Sequence, residues 1–279
     1  MIAYYNGNYL PIENICISPF DRGFLFSDGV YEALRTYNRK LFMLQKHLDR
    51  LNYSLEQTNI NFNDTDKLEE IIYRCAEINK IKTDFSAYIQ ITRGVSFPRI
   101  HHYNNSIKPN VFVYTTELKN HEKEISEGVS VILERDLRWN RCDIKSVSLL
   151  PNIMANHNAH LKGCYEAIFY KDNFITEGSH TNFFAVRNGQ IITAPLSNSI
   201  LNGVTRNIII VLCKENDIVI EEKYILINEL LNYDEFFITG TTTEIMPVVK
   251  IDNRIINEGN PGKLTKRIQK LFFDFVKNY

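Results

Sequence analysis

Between residues 165 and 193 the chain reads as two β-hairpins in immediate succession, and no other stretch narrows the choice of fold so far. Apolar runs at 165–170 and 174–176 flank Asp172-Asn173, and runs at 182–187 and 190–193 flank Asn188-Gly189. Asn-Gly tolerates positive φ at both centres of a type I′ turn, whose twist matches that of the strands it joins. The chain therefore builds an antiparallel sheet here. Asn6-Gly7, between the Tyr-rich flanks of residues 3–10, starts the chain in the same way.

Helical stripes alternate with the strands. Leu44, Leu48, Leu51 and Leu55 share one face, as do Leu68, Ile71, Ile72, Cys75 and Ile78 within 66–79. Further helices are expected at 149–161, with Pro151 tolerated in the first turn, in the apolar run after Gly203, and at 263–276. Strands are expected at 29–36, 85–93, 111–116, 129–133 and 235–239. The class is α/β (α+β), with mixed sheets and flanking helices. A chain of 279 residues suits two domains or one large one. The polar stretch ELKNHEKEISEG is the best junction, so a small N-terminal α/β domain at 1–120 and a larger C-terminal domain at 121–279 are expected.

Several function classes drop out. A formal charge of -1 argues against a broad electrostatic surface for nucleic acid. No apolar run is long enough to span a bilayer, and the start lacks the basic and apolar regions of a signal peptide, so a cytoplasmic protein is expected. Cys16, Cys75, Cys142, Cys164 and Cys213 are scattered and odd in number, which fits reduced thiols and does not suit zinc. There is no GxGxxG, GxxxxGK[ST] or GxSxG motif. His157 and His160 share a helix face, but no carboxylate follows at a metal-site spacing; they read as surface or packing residues.

What remains is a lysine, an acid and turns that suit an anion. Lys145 lies in the polar segment CDIKS, and a lysine that attacks a carbonyl must be partly desolvated because only its neutral amine is nucleophilic. Glu177 is expected in a tight TEGS turn at the end of the first hairpin. A helix beginning near Gly203 to Thr205 presents unpaired N–H groups, and the turn Gly240-Thr241-Thr242-Thr243-Glu244 is small and hydroxyl-rich; both suit phosphate, and both also read as an ordinary cap and turn. Arg50 reads from periodicity as a solvated helix charge. Tyr31 and Glu32 fall on opposite faces of one strand, so at most one of them enters a given pocket. Arg99 and His101, in a loop rich in Arg, His and Pro, suit a carboxylate or simply solvent. Lysine, acid and phosphate-compatible turns are the minimum set for pyridoxal 5'-phosphate.

Seven segments in order, FDRGFLFSDGVYE (20–32), HLDRL (47–51), CDIKS (142–146), GCYEAI (163–168), ITEGSHTN (175–182), ILNGVTR (200–206) and TTTEIMPV (241–248), resemble the class IV pyridoxal-phosphate aminotransferases over nearly the full chain. That group includes D-amino-acid transaminase, branched-chain aminotransferase and aminodeoxychorismate lyase. The resemblance implies a two-domain fold type IV architecture with its active site between the domains, a homodimer, and pyridoxal 5'-phosphate as cofactor. Lys145, on the C-terminal domain, is then the covalent attachment point and the acid–base group. Glu177 is the partner of the ring nitrogen, and Arg50, Val204, Thr205 and Thr241 are the phosphate-binding positions. Leu201 matches the residue packed on the ring, and Arg138 a position near its phenolic oxygen. The loop Pro98-Arg99-Ile100-His101 looks like the carboxylate trap of D-amino-acid transaminase, in which Arg99 and His101 reach in from the partner subunit and act with Tyr31. The implied activity is reversible amino-group transfer between D-amino acids such as D-alanine and 2-oxo acids such as 2-oxoglutarate. The rivals are a lyase or branched-chain enzyme of the same fold, and a non-catalytic binding module that keeps the fold. Two residues depart from the pattern: Gly240 stands where a serine is usual, and His180 where a small residue is usual.

Overall fold

The structure is a computed structural model describing all residues from Met1 to Tyr279. The chain forms two compact units. The first comprises Met1–Lys119 with Ile144–Leu149 and Tyr279, the second Asn120–Asp143 with Leu150–Asn278.

In the first unit β1 (Ile2–Tyr5) and β2 (Asn8–Pro11) form the opening hairpin. Asn6 and Gly7 at its tip have φ of 48° and 94°, which is the positive-φ pair that its turn requires. There follow α1 (Arg22–Phe26), β3 (Gly29–Tyr37), β4 (Lys40–Leu41), α2 (Leu44–Gln57), α3 (Leu68–Ile78), β5 (Phe85–Thr92) and β6 (Asn110–Glu117). The strands make one antiparallel sheet in the order β2-β1-β6-β5-β3-β4. Leu48, Leu51 and Leu55 of α2 and Leu68 and Ile72 of α3 join Val30, Leu34, Phe85 and Ile89 in one core cluster. Each such side chain contributes roughly 1.5–3 kcal/mol by leaving water. The strict in–out alternation of β3 puts Val30, Glu32, Leu34 and Thr36 on the buried side and leaves Tyr31, Ala33 and Arg35 half-buried.

The second unit holds α4 (Glu122–Glu127), β7 (Val129–Arg135), α5 (Leu150–Leu161), β8 (Glu166–Lys171), β9 (Phe174–Gly178), β10 (Asn182–Arg187), β11 (Gln190–Thr193) and α6 (Val204–Glu215). It continues with β12 (Ile220–Glu222), β13 (Ile225–Leu226), β14 (Glu235–Gly240), β15 (Glu244–Ile251), β16 (Arg254–Ile255) and α7 (Lys263–Lys277). Its sheet runs β12-β11-β10-β14-β15-β7-β8-β9-β13, with β16 paired to β15. It is mixed, because β7 pairs in parallel with both β8 and β15 while both hairpins expected from the sequence are antiparallel. Its centre is aromatic: Phe184 stacks on Phe237 at 4.7 Å and Phe183 on Phe236 at 5.5 Å. No helix is long and apolar enough to cross a membrane.

Two expectations need correcting. Lys145 does not group with the second unit. Ile144 enters the first unit's core, Ser146 bridges Val30, Tyr31 N–H donates to the Lys145 carbonyl at 3.0 Å, and Lys145 N–H donates to Ser54 Oγ at 3.1 Å. A contiguous cut cannot describe a chain whose residues 144–149 return to strand β3. Glu177 is also not in a turn after the hairpin, since β9 runs through it to Gly178.

Candidate active site

In the first unit, the docking of Lys145 on β3 and α2 sets its half-buried side chain against Tyr31, with Nζ 4.2 Å from the ring centroid. The ring quadrupole attracts the ammonium there. Beside Tyr31 in sequence and on the other side of the strand, Glu32 is wholly buried. Arg50 Nε and Nη2 donate to its two oxygens at 2.7 and 2.9 Å, and His47 Nδ1 lies 2.8 Å from Oε2. Burial pushes the Glu32 carboxyl up, but the charges and bonds of Arg50 and His47 outweigh it and hold the group well below the usual carboxylate range. His47 is held below its ordinary value chiefly by burial. Arg50 is therefore not a solvated helix charge: its side chain is 10% exposed and its fork is matched to a carboxylate.

Arg99 and His101 lie on the surface loop after β5, both against Phe26, with the guanidinium 4.4 Å from the ring centroid and the imidazole centroid at 5.5 Å. The loop is braced from beneath. Arg22 donates to the carbonyls of Ile100 and His101 at 2.7 and 3.0 Å, and Arg22 and Arg93 share the Asp28 carboxylate at 2.8 and 2.7 Å.

In the second unit, Glu177 is the centre of a buried network. Arg138 Nη1 donates to its Oε1 at 2.6 Å; Leu201 N–H and Asn182 Nδ2 donate to Oε2 at 2.9 and 3.1 Å. Arg138 is held in turn by Asp136 through Nε and Nη2, at 2.9 and 2.8 Å. Burial pushes the Glu177 carboxyl up, while Arg138 and the Leu201 N–H pull the other way; all three donors are best met by the carboxylate form. Arg138, Glu177 and Leu201 are thus brought together. Val204 and Thr205 open α6, whose N-cap is Gly203 and whose first N–H groups receive no side-chain cap. Thr241 lies in the short connection between β14 and β15, where Gly240 pairs with Glu244. Asn182 pairs directly with Thr239, so their side chains share a face of the sheet, and Thr239 Oγ1 is buried there with no hydrogen-bond partner.

Sequence reasoning missed Glu32 as a partner of Arg50, along with His47, Asp136 and Asn182. Glu32 carried a readable signal: it is an acidic residue on the apolar face of an alternating strand. His180, which departs from the family pattern, faces the wholly buried Glu166, with Nδ1 2.8 Å from its carboxylate. His157 and His160 are exposed on α5.

Residues 29–251 match the model of the family described as amino-transferase class IV. A D-alanine aminotransferase of Bacillus licheniformis is 40% identical over 270 residues, which covers 96% of this chain and 95% of that protein. One from Staphylococcus epidermidis is 34% identical over 279 residues, covering 99% and 98%. Among solved structures, a branched-chain amino acid aminotransferase of Escherichia coli superposes with a TM-score of 0.90 at 24% identity, covering 99% of this chain and 94% of that one, and so shares the fold. With the family model spanning most of the sequence and both relatives spanning nearly all of it, this chain belongs to the class IV aminotransferases.

Proposed function

We propose that this enzyme moves amino groups reversibly between D-amino acids and 2-oxo acids, with D-alanine and 2-oxoglutarate the pair to test. The observation that carries the reading is the 40% identity to a D-alanine aminotransferase across 96% of the chain. The loop bearing Arg99 and His101 supports it, since a guanidinium fork and an imidazole suit an α-carboxylate.

The residues present fit pyridoxal 5'-phosphate, the cofactor of class IV aminotransferases. Glu177 accepts three hydrogen bonds in this chain and, as a carboxylate with about four lone-pair sites, keeps capacity for one further N–H donor. The uncapped start of α6 and the unpartnered Thr239 hydroxyl suit an acceptor-rich, anionic group on that face of the sheet. When bound, the cofactor supplies a carbonyl for an amine and a protonated ring that withdraws electrons from the substrate Cα. In this reading Glu177 keeps the ring nitrogen protonated, Leu201 packs on the ring, and Arg138 lies near its phenolic oxygen. Arg50, Val204, Thr205 and Thr241 hold the phosphate. The neutral amine of Lys145 takes the proton from the substrate Cα as general base and returns one as general acid. Tyr31, Arg99 and His101 fix the substrate carboxylate, and the side on which it is held selects the hand that reacts. A homodimer, in which Arg99 and His101 serve the partner's site, and a cytoplasmic location complete the reading.

The test is a screen of D- and L-amino acids with 2-oxoglutarate, following keto-acid formation. Pyruvate from D-alanine is expected. Turnover of L-branched-chain substrates alone, or pyruvate released from aminodeoxychorismate, would sink the assignment.

A further inference from the structure

The pairing of β8 with β9 slips by one residue around Glu177. Ile168 faces Gly178 and Tyr170 faces Ile175, so Thr176 and Glu177 together oppose the single residue Phe169. This is a β-bulge, and its effect on side-chain direction is visible. Neighbours in a regular strand point to opposite faces; here Thr176 Oγ1 donates to Asp136 at 3.0 Å while Glu177 accepts from Arg138, the ion-pair partner of the same Asp136. The bulge aims Glu177. A bulge leaves one residue outside the ladder and must be pinned from elsewhere.

Asp136 pins it on one side. On the other, the chain reverses between Gly178 and Thr181, closed by Gly178 N–H to Thr181 O at 2.7 Å, and wraps the carboxylate of Glu166. That carboxylate is wholly buried and meets six donor groups. Ser179 Oγ at 2.5 Å, Ala167 N–H at 2.8 Å and Asn156 Nδ2 at 3.3 Å bind Oε1. His180 Nδ1 at 2.8 Å, Thr181 Oγ1 at 3.1 Å and His180 N–H at 3.3 Å bind Oε2. There is no room for a side chain at the pivot, since a Cβ on Gly178 would collide with Thr181 Oγ1. A buried charge of this kind adds little net stability compared with an apolar filler, and what it does provide is one fixed geometry.

We infer that Glu166 is a positioning residue for the reaction: by clamping the Gly178–Thr181 reversal with His180 as its half-exposed cover, it holds the bulge that aims Glu177. The inference rests on the role given to Glu177 above.

The test compares Glu166→Gln, Glu177→Gln and the double variant. The readouts are the dissociation constant for pyridoxal 5'-phosphate, the pH dependence of the visible absorbance of the bound cofactor, and thermal unfolding without cofactor. Glu166→Gln is expected to fold, to lower kcat between about tenfold and about a hundredfold through misplacement of Glu177, and to shift the absorbance titration. The double variant is expected to match Glu177→Gln in the absorbance titration, because Glu166 acts there only through Glu177. Wild-type absorbance in Glu166→Gln, or effects of the two substitutions that simply add, would overturn the inference. Should Glu166→Gln not fold, Ser179→Ala removes the shortest of the six bonds, and a shift in the same direction supports the inference while an unchanged titration overturns it. A wild-type protein that takes up no pyridoxal 5'-phosphate instead overturns the function proposed above, and this control is read before any variant.

Discussion

Glu32 sits on the buried side of β3 between Val30 and Leu34, where a carboxylate is tolerated only because Arg50 neutralises it and both Arg50 and His47 bond it. Removing it with Glu32→Ala takes away the carboxylate that Arg50 and His47 share, and a loss of about 3–5 kcal/mol is expected in urea unfolding at neutral pH. The cluster also sets an acid sensitivity. Both groups titrate below their ordinary values in the folded chain, His47 below 6.5 and Glu32 below 4.5, so the unfolded chain binds the extra proton first in each window. Stability is therefore full above pH 6.5, begins to fall through His47 below that value, and falls further through Glu32 below 4.5. His47→Gln should flatten the upper part of the curve of melting temperature against pH and leave the lower part. At the chemistry itself, Lys145→Ala should abolish turnover and cofactor attachment, and retained activity in that variant would remove Lys145 from its role. The sequence singled out Lys145 and Glu177 because their motifs are local, whereas Arg138 came only from the family resemblance. It misread Arg50 because periodicity within α2 carries no information about a strand residue eighteen positions earlier.

Elements that depend on local chemistry were readable, and those that depend on a distant partner were not. Both Asn-Gly hairpins have positive φ at their tips, α2 and α3 follow their apolar stripes, and α5, α6 and α7 form where helices are expected. The bulge in β9 is a relation between two strands, two residues against one, so Glu177 read as a turn residue when it belongs to a strand. The segment 144–149 likewise shows no sign in its own composition of its return to β3. The start of α6 gives a test at this scale. Gly203 has no room for a Cβ, which would collide with Asn182 Oδ1, and Asn182 holds both Glu177 and the Leu201 carbonyl. Gly203→Ala should displace Asn182 and weaken pyridoxal 5'-phosphate binding by about tenfold or more, as expected when a site group moves by a fraction of an ångström. Equilibrium dialysis checks this, and unchanged affinity would separate the α6 start from the phosphate.

At the scale of the whole molecule the question is which chain completes which site. The single chain exposes the large apolar side chains of Phe24 and Phe97 in one unit and of Leu150, Ile153 and Met154 in the other, and the proposed homodimer would offer them a partner. Arg99 and His101 lie on the same exposed loop as Phe97, which is the placement expected of groups that serve a neighbour. If they do, Lys145→Ala and Arg99→Ala damage different halves of one site and complement each other. Each variant alone should be nearly inactive on D-alanine. When the two are mixed and allowed to exchange subunits, half of the dimers are mixed, and in each of these the Arg99→Ala chain keeps its own lysine and receives an intact arginine. Activity should then return to about a quarter of wild type on a site basis, the statistical limit for random pairing in a two-fold dimer. Were Arg99 to act on its own chain, no mixed dimer would hold an intact site, and activity would stay at the level of the separate variants. Sedimentation of the mixture, run beside the assay, establishes that exchange has occurred, so that an absent recovery counts against the arginine crossing between subunits.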